Sequence, residues 1–300
     1  MELPVIQDVG RPRRRLPPWL KRPLPVGEPF ARTRRIVAES GIATVCQDAR
    51  CPNLSECWSH GTATFMILGH RCTRRCHFCA VRTGRPRPPE PDEPRRLGRA
   101  TAELGLRHVV ITAVARDDLK DGGAEHFAAC VQAVRSGSAD VTIEVLPADF
   151  RGRAECIRVL CDAAPDVYNH NLETVERLSP SVRPQASYGR SLGVVRTVRS
   201  LAPRVITKSG LMVGLGETRE ELVRTFGDLL EAGCQVLTIG QYLRPSPDHT
   251  PVQRYYPPDE FAELADVARS MGFRSVASGP FVRSSYHAAE GYDEACRHPT

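Results

Sequence analysis

No stretch of this 300-residue chain approaches the eighteen consecutive apolar residues that a membrane-spanning helix needs, so no membrane partner is expected. The first 35 residues lack the apolar core of a secretory signal. Pro4, Pro12, Pro17, Pro18, Pro23 and Pro25 also exclude the amphipathic helix of an organelle-targeting peptide, so a cytoplasmic location is expected. There is no internal repeat, and no added nucleic-acid-binding domain is visible, so no nucleic-acid partner is expected. Gly214-Leu215-Gly216-Glu217 lacks the third glycine of a dinucleotide fingerprint and follows a late strand, which argues against a Rossmann fold. Neither of the two cysteine triples described below has a fourth thiol beside it, and that lack carries the most information.

The composition, 41% hydrophobic and 25% charged, is that of a globular chain able to bury a core. The net charge of +6 is confined to residues 1–35, where nine basic side chains face Glu2, Asp8 and Glu28. The remainder is balanced. A basic, proline-rich arm suits an acidic macromolecular partner, or simply a solvated tail.

Six of the eleven cysteines fall between positions 46 and 79, and in a reducing compartment such clustering argues for metal rather than disulfides. Cys72, Cys76 and Cys79 are spaced Cys-x3-Cys-x2-Cys within Arg71-Cys72-Thr73-Arg74-Arg75-Cys76-His77-Phe78-Cys79. Iron–sulfur clusters are normally held by four thiolates, so three leave one iron open to an exogenous molecule, which predicts chemistry rather than electron transfer alone. A zinc ion completed by His77 or His70 is the competing reading. Cys46, Cys51 and Cys57, spaced Cys-x4-Cys-x5-Cys in a segment broken by Pro52 and Asn53, read as a loop holding a second cluster, with a zinc loop or free thiols as alternatives. Cys130, Cys156 and Cys161 read as small core residues.

Strands and helices then alternate. Thr64–Leu68, His108–Thr112, Val141–Leu146, Asp166–Asn171, Val205–Val213, Gln235–Ile239 and Arg274–Ala277 read as strands separated by helical stretches. The helix opened by Thr218 has Glu221 as its capping-box partner. About six such units predict an α/β fold: a partial or complete parallel (β/α) barrel with amino- and carboxyl-terminal extensions. The expected divisions are a basic arm and short helix (1–41), an auxiliary-cluster loop (42–60), the barrel (61–280) and a terminal segment (281–300). Barrel chemistry lies at the carboxyl ends of strands, where the Cys72–Cys79 loop follows the first strand. Gly122 and Gly123, Asn171 and Glu173, and Gly214 follow other strand ends and are candidate ligand contacts: glycines exposing backbone to an ammonium or a flat ring, and amide and carboxylate groups suited to ribose hydroxyls. A plain turn and a helix cap are the competing readings of the first two stretches.

The Cys-x3-Cys-x2-Cys run with Phe78 before its last thiol resembles the radical S-adenosylmethionine superfamily. The resemblance implies that Cys72, Cys76 and Cys79 hold a [4Fe–4S] cluster whose open iron chelates S-adenosylmethionine, with Phe78 near the adenine. With the preceding triple, Val114-Ala115-Arg116-Asp117-Asp118-Leu119, Asn169-His170-Asn171-Leu172-Glu173-Thr174, Thr207–Thr218, Gln241-Tyr242-Leu243-Arg244-Pro245-Ser246 and Arg283-Ser284-Ser285-Tyr286-His287, the chain resembles the lipoyl synthase family from about Pro17 to Tyr286. This implies insertion of two sulfur atoms at carbons 6 and 8 of an octanoyl chain on a lysine of a carrier protein, of the lipoyl-domain or H-protein type. The second [4Fe–4S] cluster, on Cys46, Cys51 and Cys57, would be the sulfur donor, with Ser285 as its fourth ligand. The residues alone do not separate Ser284 from Ser285. A hard serine oxygen binds such an iron less firmly than a thiolate and so can leave. A low-potential electron donor and an iron–sulfur assembly or repair protein are the further partners implied. Another sulfur-inserting radical enzyme, or a non-catalytic iron–sulfur or zinc protein, are the alternatives. An electron carrier would need a fourth thiolate per cluster.

Overall fold

A computed structural model of the chain describes residues 16–21 and 27–297. Most of the basic arm, including Arg13, Arg14 and Arg15, lies outside the described residues. The strands are β1 (Ala43–Thr44), β2 (Thr64–Ile67), β3 (Arg71–Cys72), β4 (Arg82–Thr83), β5 (His108–Ala113), β6 (Thr142–Leu146), β7 (Val167–Asn169), β8 (Ile206–Val213), β9 (Val236–Gln241) and β10 (Ser275–Gly279). Eight of them form one sheet in the order β1-β2-β5-β6-β7-β8-β9-β10, while β3 and β4 pair separately. Only β1 runs antiparallel, against β2.

Each strand after β2 is laid beside its predecessor, and the order never reverses. A doubly wound sheet reverses at a switch point; a barrel does not. Among the described residues β10 does not pair with β1 or β2, so the sheet is a partial barrel. Helices Glu93–Leu104, Ala124–Gly137, Ala154–Asp162, Tyr188–Leu201, Arg219–Glu231 and Pro258–Met271 follow successive strands. Thr218 and Glu221 form the anticipated reciprocal cap of one of them.

The strands show why this sheet is covered by helices. Ile143 and Val145 of β6 are fully buried in a cluster with Phe127, Val134 and Ile157. Successive side chains of a strand point to opposite faces, which turns Glu144, between them, into the barrel. There it accepts hydrogen bonds from Lys208 Nζ at 2.9 Å and Asn169 Nδ2 at 2.8 Å. The inner lining is thus partly polar.

Two extensions differ from the sequence reading. The Cys46–Cys57 segment, expected to be a loop, contains helices Val45–Asp48 and Leu54–Ser59, the first capped by the Thr44 hydroxyl accepting from the Gln47 N–H. Helices of one or two turns are too short to show a periodic apolar pattern. At the carboxyl end, helix Ala288–Arg297 packs Ala295 and Tyr292 against Val167, Ile206 and Val236, near the starts of three strands, and so closes the end of the barrel opposite the strand termini.

Candidate active site

The Cys72–Cys79 loop begins at an irregular point. Leu68, just past β2, has φ 67°, a left-handed conformation that costs a residue with a side chain of order 1–3 kcal/mol and persists only where its surroundings impose it. Glu93 Oε2 accepts the Leu68 N–H at 2.9 Å, and Arg116 Nη1 donates to the Leu68 carbonyl at 3.3 Å. Beyond it the loop is braced on all sides. Cys72 Sγ accepts from the backbone N–H groups of Arg74 and Ala115, the His77 N–H donates to the Val182 carbonyl, and the Thr250 N–H donates to the His77 carbonyl. His249 Nε2 lies 3.0 Å from the Cys79 carbonyl and its Nδ1 lies 2.8 Å from Ser246 Oγ. A carbonyl can only accept, so Nε2 carries the proton and, in the neutral ring, Nδ1 takes the serine hydrogen.

Cys72, Cys76 and Cys79 line a cavity of about 540 Å³ at the strand termini, together with Phe78, Asn171, Glu173, Cys51, Ser284 and Ser285. A volume of that order suits a small-molecule cofactor. Burial pushes Cys76 up to about 11 against the opposing Arg183 charge, and pushes Cys79 up to about 12, where the Cys76 and Cys72 thiols add to it. Thiols so placed lose their protons when a cation binds them. Three thiols on one wall of a cavity are a donor set that fits an iron–sulfur cluster.

The second triple behaves alike. Cys46 is buried against Val37, Trp58 and Ala63, with Cys57 packed beside it, and Cys51 faces the cavity. Burial and then the Cys46 and Cys51 thiols push Cys57 up to about 12, so the three lie close enough to oppose one another's ionisation. The terminal segment is tied to them: Asn53 Nδ2 donates to the Phe281 carbonyl at 2.7 Å and the Tyr286 hydroxyl to Glu56 Oε1 at 2.8 Å. Asn171 Nδ2 donates to Ser284 Oγ at 2.6 Å, which commits that hydroxyl to the barrel; Ser285 has no such contact among the described residues.

The far side of the cavity is a buried charge network. Arg74 donates to both oxygens of Asp117, at 2.7 and 2.8 Å, and to Asp149 at 2.6 Å; Arg190 reaches the second Asp149 oxygen at 2.7 Å. Arg74 and the Arg151 N–H hold the Asp149 carboxyl well below the usual range against its burial. Arg183 donates to the carbonyls of Asn171 and Leu172. Burial pushes the Glu173 carboxyl up, opposed first by Arg183.

The structure does not bring every expected residue here. Gly122 and Gly123 form the turn into helix Ala124–Gly137, at φ 67° and 86°, with Asp121 Oδ1 accepting the Gly123 N–H, and neither lines the cavity. A Cβ on Gly123 would lie 2.5 Å from Leu68 Cδ1, so packing and backbone angle require the glycine. Gly214 is likewise a packing position, where a Cβ would overlap Gln241 and the Arg254 carbonyl. All three therefore have a turn or close-approach role of their own, whatever ligand they meet. Arg74, Asp149, Arg183 and His170 were missed, because charged residues scattered over 110 positions give no spacing signal.

Residues 66–229 match the family model of the radical SAM superfamily, and residues 5–51 match that of the N-terminal domain of lipoyl synthase. A lipoyl synthase of Rubrobacter xylanophilus is 53% identical over 98% of this chain and 91% of its own length. One of Methylococcus capsulatus is 54% identical over 95% and 89%. The chain belongs to the lipoyl synthase family. It is a radical S-adenosylmethionine enzyme of the sulfur-inserting kind, and its cofactors are [4Fe–4S] clusters and S-adenosylmethionine. Among solved structures, Streptococcus suis SuiB bound to S-adenosylmethionine superposes with a TM-score of 0.56 at 12% identity, over 75% of this chain and 53% of that one. The hydrogenase maturase HydG does so with 0.55 at 16%, over 88% and 62%. Both show the shared fold. No helix among the described residues is long and apolar enough to cross a membrane.

His170 gives this lipoyl synthase site a measurable acid sensitivity. It is 5% exposed between the Pro147 carbonyl and Ser191 Oγ, and burial, then Arg183, lowers its imidazole to about 4. The unfolded chain binds this proton below about pH 6.5 and the folded chain only below about pH 4, so about 3 kcal/mol of stability is expected to be lost as pH falls through that window. Urea unfolding of wild type and His170→Gln between pH 7 and 4 checks this: the wild type should lose stability faster.

Proposed function

We propose that Cys72, Cys76 and Cys79 hold a [4Fe–4S] cluster and leave one iron to S-adenosylmethionine, while Cys46, Cys51, Cys57 and Ser285 hold a second cluster that is the sulfur-donating substrate. The reaction is insertion of two sulfur atoms at carbons 6 and 8 of an octanoyl-lysyl group on a carrier protein. One observation carries this reading: Cys51 and Ser285 line the same cavity as Cys72, Cys76 and Cys79, so the sulfur donor and the site that activates the octanoyl chain open onto one space. When bound, the first cluster and S-adenosylmethionine supply the electron and the hydrogen-atom acceptor.

The chain's own residues then divide the work. Phe78 presents an aromatic ring in the cavity wall for the adenine. Asn171 and Glu173 offer an amide and a carboxyl group for ribose hydroxyls, and Arg183 opposes the upward push that burial gives Glu173. Asn171 also holds Ser284, which turns the neighbouring Ser285 hydroxyl free to serve the second cluster. An oxygen ligand binds such an iron weakly and can leave, opening the cluster for sulfur transfer. The octanoylated carrier, of the lipoyl-domain or H-protein type, is the macromolecular substrate, and the basic arm suits an acidic carrier surface. A low-potential electron donor and an iron–sulfur assembly or repair protein complete the expected partners, with the cytoplasm as the compartment.

Ser285→Ala tests the assignment. Cleavage of S-adenosylmethionine should stay within about threefold of wild type, while lipoyl product should fall more than tenfold. Unchanged lipoyl product, or cleavage and product falling by the same factor, would contradict it.

A further inference from the structure

From Cys57 to Pro89 the chain holds six arginines and no acidic residue. Arg74 is spent on the buried network; Arg71, Arg75, Arg82, Arg85 and Arg87 are exposed, and none forms an ion pair among the described residues. The two-stranded ribbon explains their grouping. β3 and β4 pair in parallel with Arg71 opposite Arg82 and Cys72 opposite Thr83, and the Gly84 N–H donates to the Cys72 carbonyl at 3.0 Å. The Arg71 guanidinium lies over Gly84, where a Cβ would come within 3.2 Å of Nη1. The arginine ribbon is therefore one strand spacing, about 5 Å, from the backbone of a cluster cysteine.

This is also the outer side of the loop. Cys76 and Cys79 line the large cavity and also border a separate one of about 200 Å³, lined by Arg75, Thr83 and His249 with Asp248 its single acid and by none of the residues of the second triple. The octanoyl chain has to enter the large cavity, where Cys51 and Ser285 are. The outer face is left for something that approaches the first cluster without sharing that space.

We propose that the exposed ribbon arginines Arg71, Arg82, Arg85 and Arg87 form the docking surface for an acidic protein that carries single electrons at low potential. The partner gives up one electron and the cluster on Cys72, Cys76 and Cys79 gains it. Unpaired like charges on a partner-free surface repel one another, and an acidic partner relieves that repulsion while steering its own approach. This rests on the cluster assignment above.

The test uses the triple variants Arg82, Arg85 and Arg87→Gln and the same three→Lys, with a flavodoxin as the probe. Calorimetric titration of oxidised flavodoxin into the reconstituted enzyme should show a Kd raised at least tenfold by the glutamine variant and largely restored by lysine, with a matching loss of salt dependence. S-Adenosylmethionine cleavage driven by flavodoxin should fall by a similar factor, while cleavage driven by dithionite, which needs no docking, should stay within twofold. An unchanged Kd, an equal fall with dithionite, or a raised KM for the octanoylated carrier instead would overturn the proposal. Absence of dithionite-driven cleavage in the wild type would sink the cluster assignment instead.

Discussion

Gly240→Ala is expected to abolish lipoyl formation while leaving the Cys72–Cys79 site able to cleave S-adenosylmethionine. Gly240 lies on β9 in the cavity wall, paired with Gly279 of β10. A Cβ there would overlap the Val282 carbonyl oxygen and stand 3.0 Å from its carbonyl carbon and 3.1 Å from Arg283 Nη1. The obstacle is backbone, which cannot swing away like a side chain, so the terminal segment must move. That segment carries Ser284 and Ser285, and it is fastened on its other side to Asn53 and Glu56 of the second triple. Displacing it withdraws Ser285 from the cavity and loosens Cys51 and Cys57 together. Overpacking of this kind costs about 1–3 kcal/mol. The larger effect is on function: product should fall at least about a hundredfold, with cleavage within fivefold of wild type and a thermal midpoint only a few degrees lower. Equal losses of cleavage and product would show that the glycine serves the fold at large.

Asp149→Ala should be the most destabilising single change in the site. Asp149 is 1% exposed and accepts from Arg74, Arg190 and the Arg151 N–H. Removing it leaves the Arg74 guanidinium, 8% exposed, with half its partners. Breaking a buried pair from one side costs about 3–5 kcal/mol, because the remaining charge keeps its desolvation penalty. Arg74 lies between Cys72 and Cys76, so the loop that carries both should loosen as well. Urea unfolding should show the midpoint shifted by that amount, and a pairing of Asp149→Ala with Arg74→Met should recover part of it. A loss under 1 kcal/mol would mean that Asp117 alone suffices for Arg74.

The parts of this enzyme legible in sequence are those whose chemistry imposes local spacing. Cys72, Cys76 and Cys79 must reach one cluster from one short loop, so their separations are fixed along the chain. The alternation of strands such as His108–Ala113 with helices such as Ala124–Gly137 is equally local, and it specified a parallel barrel with the cluster loop at its strand termini. Gly122, Gly123 and Gly214 are ambiguous in sequence because a glycine required by a left-handed turn and a neighbour's bulk is indistinguishable there from one that admits a ligand. Arg74, Asp149 and Arg183 were invisible for the opposite reason: they come from distant segments and acquire meaning only as partners. The same holds for Glu144 and Lys208, a buried pair 64 positions apart on two different strands. Ser285 is intermediate. Its role was inferred from resemblance, and the fold adds that Ser284, its neighbour, is already engaged by Asn171.

The account stands on two clusters sharing one cavity, and metal content measures that directly. After anaerobic reconstitution, iron and sulfide counted per chain should each reach about eight for wild type and about four when Cys46, Cys51 and Cys57 are replaced by alanine, with S-adenosylmethionine still perturbing the remaining cluster's spectrum. Zinc in place of iron, or about four irons in wild type and variant alike, would contradict it.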